Sequence, residues 1–311
     1  MSTTWLPIFG SPLQQATDGS LVFEGGVQQN QNGQDTANLG LYVSNHDFSG
    51  GTVAATVEFA EVSPFTCFDL ILSYDPQSSA TINAGIPAHS YHLFAIREYR
   101  NTKWNLIAGV GDHEAALKPR SPYKLVATVA GSAVRLEVDG ILVLNTVLPS
   151  PLPKSQVGLL CLNKANMTIR DFRVETHRPT AFVVMQFSSP FNDLYSEVIK
   201  SICSELNVDV FRSDDEHRPG MIVSDISRAI TESSFIIADV TPVNANVFYE
   251  LGYAHGRNKP AIILAERATK LPFDVSPFRT LFYDNSIAGK PRLEAGLRSA
   301  IQSILRGPSQ A

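Results

Sequence analysis

The sequence predicts two domains: an all-β sandwich of jelly-roll type over residues 1–176, and an α/β domain with a flavodoxin-like parallel sheet over residues 177–311. Three observations predict this. The chain has 311 residues, more than one hydrophobic core usually serves. Up to about Glu175 the apolar residues come in short alternating runs with turn residues between them, and no helical period is sustained. From about Thr180 onward, apolar strand-like runs alternate with segments of helical spacing.

In the first half the expected strands are Leu21–Phe23, Leu39–Val43, Thr52–Phe59, Phe68–Tyr74, Tyr91–Ile96 and Trp104–Gly109. The clearest piece follows: Tyr123–Val129, the turn Ala130-Gly131-Ser132, and then Val134–Val138 and Ile141–Leu144 joined by Asp139-Gly140. That pair suits a type I′ turn, in which both central residues need positive φ. Gln156–Leu162 and Met167–Val174 complete the set. Many short strands with turn signals argue for two packed sheets. The polar, proline-bearing stretch Thr176-His177-Arg178-Pro179 reads as the linker.

In the second half the expected strands are Ala181–Met185, Val208–Phe211, Phe235–Ala238, Ala261–Leu264 and Leu281–Tyr283. Four helical segments separate or follow them: one from Phe191 to Leu206, one through Ile222–Ile230, one from Val247 to Gly256, and one through Leu293–Leu305. Such repetition gives a parallel sheet covered on both faces, with right-handed connections.

Bulk properties narrow the function. Hydrophobic residues make up 44% and charged residues 18%, and the formal net charge is −5. A chain with pI about 5.8 lacks the basic field that gathers nucleic acid. No stretch approaches a membrane span, and the N-terminus has no signal-peptide pattern. Three widely spaced cysteines, Cys67, Cys161 and Cys203, form no CxxC and read as core residues of a reducing compartment, so a cytoplasmic protein is expected. No metal-ligand spacing and no glycine-rich phosphate loop is present, which disfavours an NTPase or an ordinary dehydrogenase.

In an open parallel sheet, ligands bind beyond the carboxyl ends of the strands. Gln186, Phe187 and the following serines lie after the first strand, Arg212 and Asp214-Asp215 after the second, and Asp239 through Asn246 after the third. Asn246 is the expected N-cap of the helix from Val247. Glu250 then falls at the end of the first turn, near the positive end of the helix dipole, where a carboxylate stays ionised. Val247, Leu251 and Ala254 would face the sheet and leave Glu250 on the rim of the cleft. Arg212 is a candidate phosphate ligand or a solvated charge. Asp239 is a candidate pocket residue or a turn cap. Asn244 and Asn246 shape the loop and can touch a ligand, and Tyr249 packs or lines the rim. His217 and His255 read as isolated.

The run Val138-Asp139-Gly140, Gln156-Val157-Gly158-Leu159 and Asp171-Phe172-Arg173-Val174 resembles the closing strands of concanavalin-like or laminin-G-like jelly rolls. The resemblance implies a fold and leaves the ligand open, carbohydrate or protein. The stretch from Phe182 to Leu264, with its core Asn244-Ala245-Asn246-Val247-Phe248-Tyr249-Glu250-Leu251-Gly252-Tyr253-Ala254 and Lys259-Pro260, resembles the nucleoside 2-deoxyribosyltransferase-like and bacterial TIR-like families. It implies that Glu250 is catalytic, that Asp225 takes part, and that the loop after the first strand, with Gln186 and Phe187, and the Asp239 loop, with Asn244 and Asn246, border the pocket; Arg212 and Tyr249 are substrate-binding candidates by their positions alone. True deoxyribosyltransferases carry aspartate six residues before the glutamate, where this chain has Asn244. They also carry an aromatic hydroxyl near the first strand, with no counterpart in Ala181–Met185. These departures favour the TIR-like branch, whose members cleave NAD and often act in antiviral defence. The resemblance therefore implies an NAD glycohydrolase with NAD as substrate, no cofactor and a homo-oligomeric state, the β domain serving sensing or assembly. The alternatives are a nucleoside transferase or hydrolase, and a non-catalytic nucleotide-binding or oligomerisation module.

Overall fold

The computed structural model describes residues 2–29, 35–88, 90–112, 117–215 and 222–306. The chain divides into two compact units. One comprises Met1–Val129, Val134–Thr146 and Lys154–His177, and the other comprises Ala130–Ala133, Val147–Pro153 and Arg178–Ala311.

The first unit holds two antiparallel sheets, an arrangement of the sandwich or jelly-roll kind. The larger runs, in spatial order, through Trp5–Phe9, Asp35–Phe48, Ser155–Asn163, Cys67–Tyr74, Thr81–Ile86, Phe94–Arg100 and Lys103–Val110, with Val27–Gln29 also paired to Asp35–Phe48. The other runs through Ile141–Val147, Ala133–Val138, Pro122–Ala130, Gly51–Phe59, Met167–Thr176, Leu21–Phe23 and Gln14–Gln15. Alternate residues of Gly51–Phe59 supply the core: Val53, Val57 and Phe59 are fully buried. Asp139 and Gly140 have φ of 51° and 80°, as the turn chemistry requires.

Two expectations change. The strand expected at Tyr91–Ile96 begins at Phe94 and runs to Arg100. Tyr91, where the strand was expected to begin, is 94% exposed. The strand Thr81–Ile86 is not among the expected ones, and it contains Asn83 and Gly85, residue types depleted in strands. Both have a packing reason. Asn83 Nδ2 lies 3.4 Å from Asp69 Oδ2, and a Cβ at Gly85 would stand 2.3 Å from the Phe68 carbonyl oxygen.

The second unit is a five-stranded parallel sheet: β1 (Thr180–Val184), β2 (Asp209–Arg212), β3 (Phe235–Asp239), β4 (Ala261–Glu266) and β5 (Thr280–Tyr283). Their spatial order is β2-β1-β3-β4-β5, the flavodoxin-like order, which places a topological switch between β1 and β3. Helix α1 begins as Phe191–Leu194, passes through a π-helical turn at Tyr195–Ile199 and ends as Lys200–Glu205. The others are α2 (Ile222–Glu232), α3 (Ala245–Gly256) and α4 (Lys290–Arg306).

Strand parity divides the core into two layers. Ala181, Val183, Phe235, Ile237, Ile262 and Leu264 pack with Val198, Ile202, Leu293 and Leu297 of α1 and α4. Phe182, Val184, Ile236, Ala238 and Ile263 pack with Ile230 of α2 and Val247, Leu251 and Ala254 of α3. Strands buried on both faces are near-continuous apolar runs, which is why they were legible as such. Among the described residues no helix is long and apolar enough to cross a membrane.

Candidate active site

Strand parity decides which face of the sheet the polar side chains at its carboxyl edge join. In β2, Val210 packs into the α1/α4 layer and Phe211 into the α2/α3 layer. Arg212 therefore points to the α1/α4 side. In β3, Ile237 and Ala238 split the same way, so Asp239 also points to the α1/α4 side.

Arg212 is 6% exposed and largely engaged. Its Nε and Nη2 donate to the two carboxylate oxygens of Asp214, both at 2.6 Å. Nη1 donates to Asn192 Oδ1 at 3.0 Å, and the guanidinium lies 4.7 Å from the Phe187 ring and 4.5 Å from the Tyr195 ring. A planar guanidinium suits a bidentate pair and two ring faces together. Tyr195 donates its hydroxyl to Asp215, and Asp215 Oδ2 also accepts from the Arg212 amide at 3.0 Å. Arg212 thus ties the loop after β1 to the end of β2. Gln186 donates to Ser188 Oγ at 2.9 Å within that loop, and Phe187 stays 49% exposed.

Asp239 is fully buried. Its Oδ1 accepts from the Thr241 amide at 2.9 Å and its Oδ2 from the Tyr283 hydroxyl at 2.8 Å. Burial pushes its carboxyl up to about 6, with these hydrogen bonds opposing the shift and Glu266 adding to it. Tyr283 was not singled out in the sequence. The signal for it was its place as the last residue of a strand at the ligand-binding edge.

Glu250 lies on the other face, on α3. The expected N-cap shifts by two residues. Asn244 is the cap, with extended backbone and a side-chain oxygen that accepts from the Asn246 amide at 2.9 Å. The donor Asn246 is already helical, because α3 starts at Ala245. Asn244→Ala is expected to destabilise the second unit by about 1 kcal/mol in thermal melts, and Asn246→Ala by far less.

The earlier start carries Glu250 beyond the first turn, where the helix dipole has faded. The expected stable ionisation is overturned with it: desolvation raises the Glu250 carboxyl to about 7. Helix geometry explains the burial. At about 100° per residue, Glu250 falls at the margin of the stripe made by Val247, Leu251 and Ala254, which are 3%, 1% and 0% exposed. Neighbouring Tyr249 points outward and is 64% exposed.

Asp225 is on α2, which packs in the same layer as α3. Its Oδ1 accepts from Arg228 Nη2 at 2.5 Å, an exposed i,i+3 pair. The structure thus sets Glu250 and Asp225 in the α2/α3 layer and Arg212 and Asp239 on the opposite side. Asn244 ends the loop between β3 and α3, and Asn246 lies in the first turn of α3. His217 lies outside the described residues. Among the described residues no group of three or more His, Cys, Asp or Glu can hold a metal ion.

No protein-family model matches the sequence, and no curated protein matches it. Several solved structures are similar to parts of it. A carbohydrate-binding module, CBM66, from Bacillus subtilis is 16% identical, with 55% of this chain and 93% of that chain covered and a TM-score of 0.43. A Bacillus licheniformis β-glucanase is 9% identical over 53% of this chain and 87% of that one, with a TM-score of 0.36. A 2-deoxyribosyltransferase from the psychrotolerant bacterium Bacillus psychrosaccharolyticus is 12% identical over 38% of this chain and 95% of that one, with a TM-score of 0.31.

Proposed function

We propose that the second unit hydrolyses an N-glycosidic bond, with NAD as the first substrate to test and Glu250 as the reacting carboxylate. The observation that carries this reading is the Glu250 carboxyl itself. It is half-buried on α3, the helix that follows β3, and burial brings its ionisation to about 7. A group poised near neutrality in such a place is a candidate for chemistry.

Cleavage of an N-glycosidic bond develops an oxocarbenium ion at the anomeric carbon. An ionised Glu250 stabilises that charge, and water completes the hydrolysis. Nicotinamide leaves NAD from a cationic pyridinium and needs no proton, so one carboxylate suffices. That suits a chain with Asn244 where deoxyribosyltransferases carry aspartate. A second reading, cleavage of a neutral nucleoside, asks Glu250 to give a proton to the departing base. Asp225, Gln186, Phe187 and Tyr249 remain proposed substrate neighbours, and the sandwich is proposed to serve sensing or assembly.

The pH dependence separates the two readings. If the carboxylate form acts, kcat/KM for NAD rises roughly tenfold per pH unit below about 7 and levels off above it. If the protonated form acts, the rate falls with rising pH across the same range. Incubation with NAD, NADP and a panel of ribo- and deoxynucleosides between pH 5 and 9, with products identified by mass spectrometry, gives both substrate and slope. Absence of free base or nicotinamide across the panel, even in concentrated protein, would sink the enzymatic reading.

A further inference from the structure

The ends of β3, β4 and β5 are joined by hydrogen bonds that reach across three strands. Tyr283, the last residue of β5 and 7% exposed, donates to Asp239 Oδ2 at the end of β3. Asp239 Oδ1 holds the Thr241 amide. Thr241 Oγ1 accepts from the Glu266 amide at 2.8 Å, at the end of β4, and lies 3.0 Å from Thr269 Oγ1. The Val240 amide donates to the Leu264 carbonyl at 3.0 Å. Residues 239–241 are thereby held by both β4 and β5, a few residues before Asn244 caps α3.

Both carboxylate oxygens of Asp239 are occupied, and its side chain lies on the face away from Glu250. Its influence on a reaction at Glu250 must therefore pass through the backbone it holds. A buried network with its members satisfied fixes one conformation of the segment it binds. Loss of the phenolic hydroxyl would leave Asp239 Oδ2 buried without that donor. Among the described residues Glu250 has no such bracing of its own, and the way α3 lies on the sheet sets how deeply its carboxyl is desolvated.

We propose that Tyr283 is a positioning residue for Glu250: acting through Asp239 and Thr241, it sets the loop from which α3 starts and hence the place of the Glu250 carboxyl. The proposal rests on the proposed role of Glu250 as the reacting group.

The test uses the full chain carrying Tyr283→Phe, with Thr280→Val as a control at the other end of β5. Hydrogen exchange read by mass spectrometry is expected to quicken about tenfold in peptides covering Thr241–Glu250 and to stay unchanged over β1. Carbon-13 NMR of glutamate carboxyls is expected to show the Glu250 midpoint falling by about one pH unit toward the ordinary glutamate range. Where the parent cleaves a substrate, kcat falls and KM holds. Thr269→Val, a milder change at the same network, should move each readout in the same direction if Tyr283→Phe does not fold. Unchanged exchange and an unchanged Glu250 midpoint in Tyr283→Phe would overturn the proposal. So would equal changes in Thr280→Val. The exchange and titration readouts need no turnover, so an inert parent chain that shows both shifts refutes the proposed function and upholds the coupling.

Discussion

Glu250→Gln is expected to lose about 10³-fold or more of N-glycosidic cleavage while becoming more stable than the parent at pH 8. The first effect follows from removing the only charge proposed to face the oxocarbenium ion, since a neutral amide cannot replace it. The second follows from the same burial that makes the group useful. Folding raises the Glu250 carboxyl from 4.5 to about 7, so the folded state prefers its proton. Below pH 4.5 the carboxyl is neutral in both states and costs nothing. As pH rises through the interval to about 7, the folded state must hold a partly desolvated charge, and the cost is complete above it. Glu250 is partly solvated, which reduces the cost to roughly 1–2 kcal/mol. Thermal melts of parent and variant should therefore nearly coincide at pH 4.5 and separate by pH 8, with the variant higher. Site residues that weaken the fold they belong to are expected where function sets the choice. Equal melting of the two proteins at every pH would show Glu250 to be an ordinary solvated glutamate.

Asp69→Ala is expected to produce a large loss of stability in the first unit. Asp69 is fully buried, and its Oδ2 accepts from Arg97 Nη2 at 2.7 Å and from Arg97 Nε at 3.2 Å. Burial pushes the Asp69 carboxyl up, and Arg97 and Asn83 oppose that push. The Arg97 side chain is 10% exposed, and the Trp104 ring covers its guanidinium at 3.9 Å. Removing the carboxylate strands that cation, at a cost of about 3–5 kcal/mol. In a unit of this size the unfolding midpoint should fall by on the order of 10 °C. Replacing both members, Asp69→Leu with Arg97→Met, should cost less than the single change, because no buried charge is then left unpaired. The pair is an imperfect one: Asp69 Oδ1 and Asn83 Oδ1 are buried without a hydrogen-bond partner among the described residues. A single variant as stable as the parent would mean that water reaches Arg97.

The second unit was the more legible part of the sequence. Its strands are apolar on both faces, so Ala181–Met185 and Phe235–Ala238 stand out whatever their neighbours do. Thr81–Ile86 in the first unit was hidden, because Asn83 and Gly85 carry turn chemistry locally and are justified only by what lies on the next strand. The two asparagines before α3 show another limit. Asn244 and Asn246 are equally good caps by residue type, and only the backbone at Asn244 settles which one accepts the hydrogen bond. Arg212 reads as a phosphate ligand or a solvated charge, yet Asp214 two residues later takes its fork in two hydrogen bonds. The separation of Arg212 and Asp239 from Glu250 follows from period-two alternation once the strand order is known, and no linear motif contains it. The raised carboxyl of Glu250 is a matter of degree of burial, which helical spacing suggests but does not measure.

The most direct test of Glu250 as an N-glycosidic catalyst is nicotinamide release from NAD by concentrated parent protein and by Glu250→Gln, side by side at pH 8 and followed by chromatography. Release by the parent, with the variant folded and silent, is the result expected. Release at equal rates by both proteins would contradict the assignment of Glu250 and move the chemistry to another residue at the same edge of the sheet.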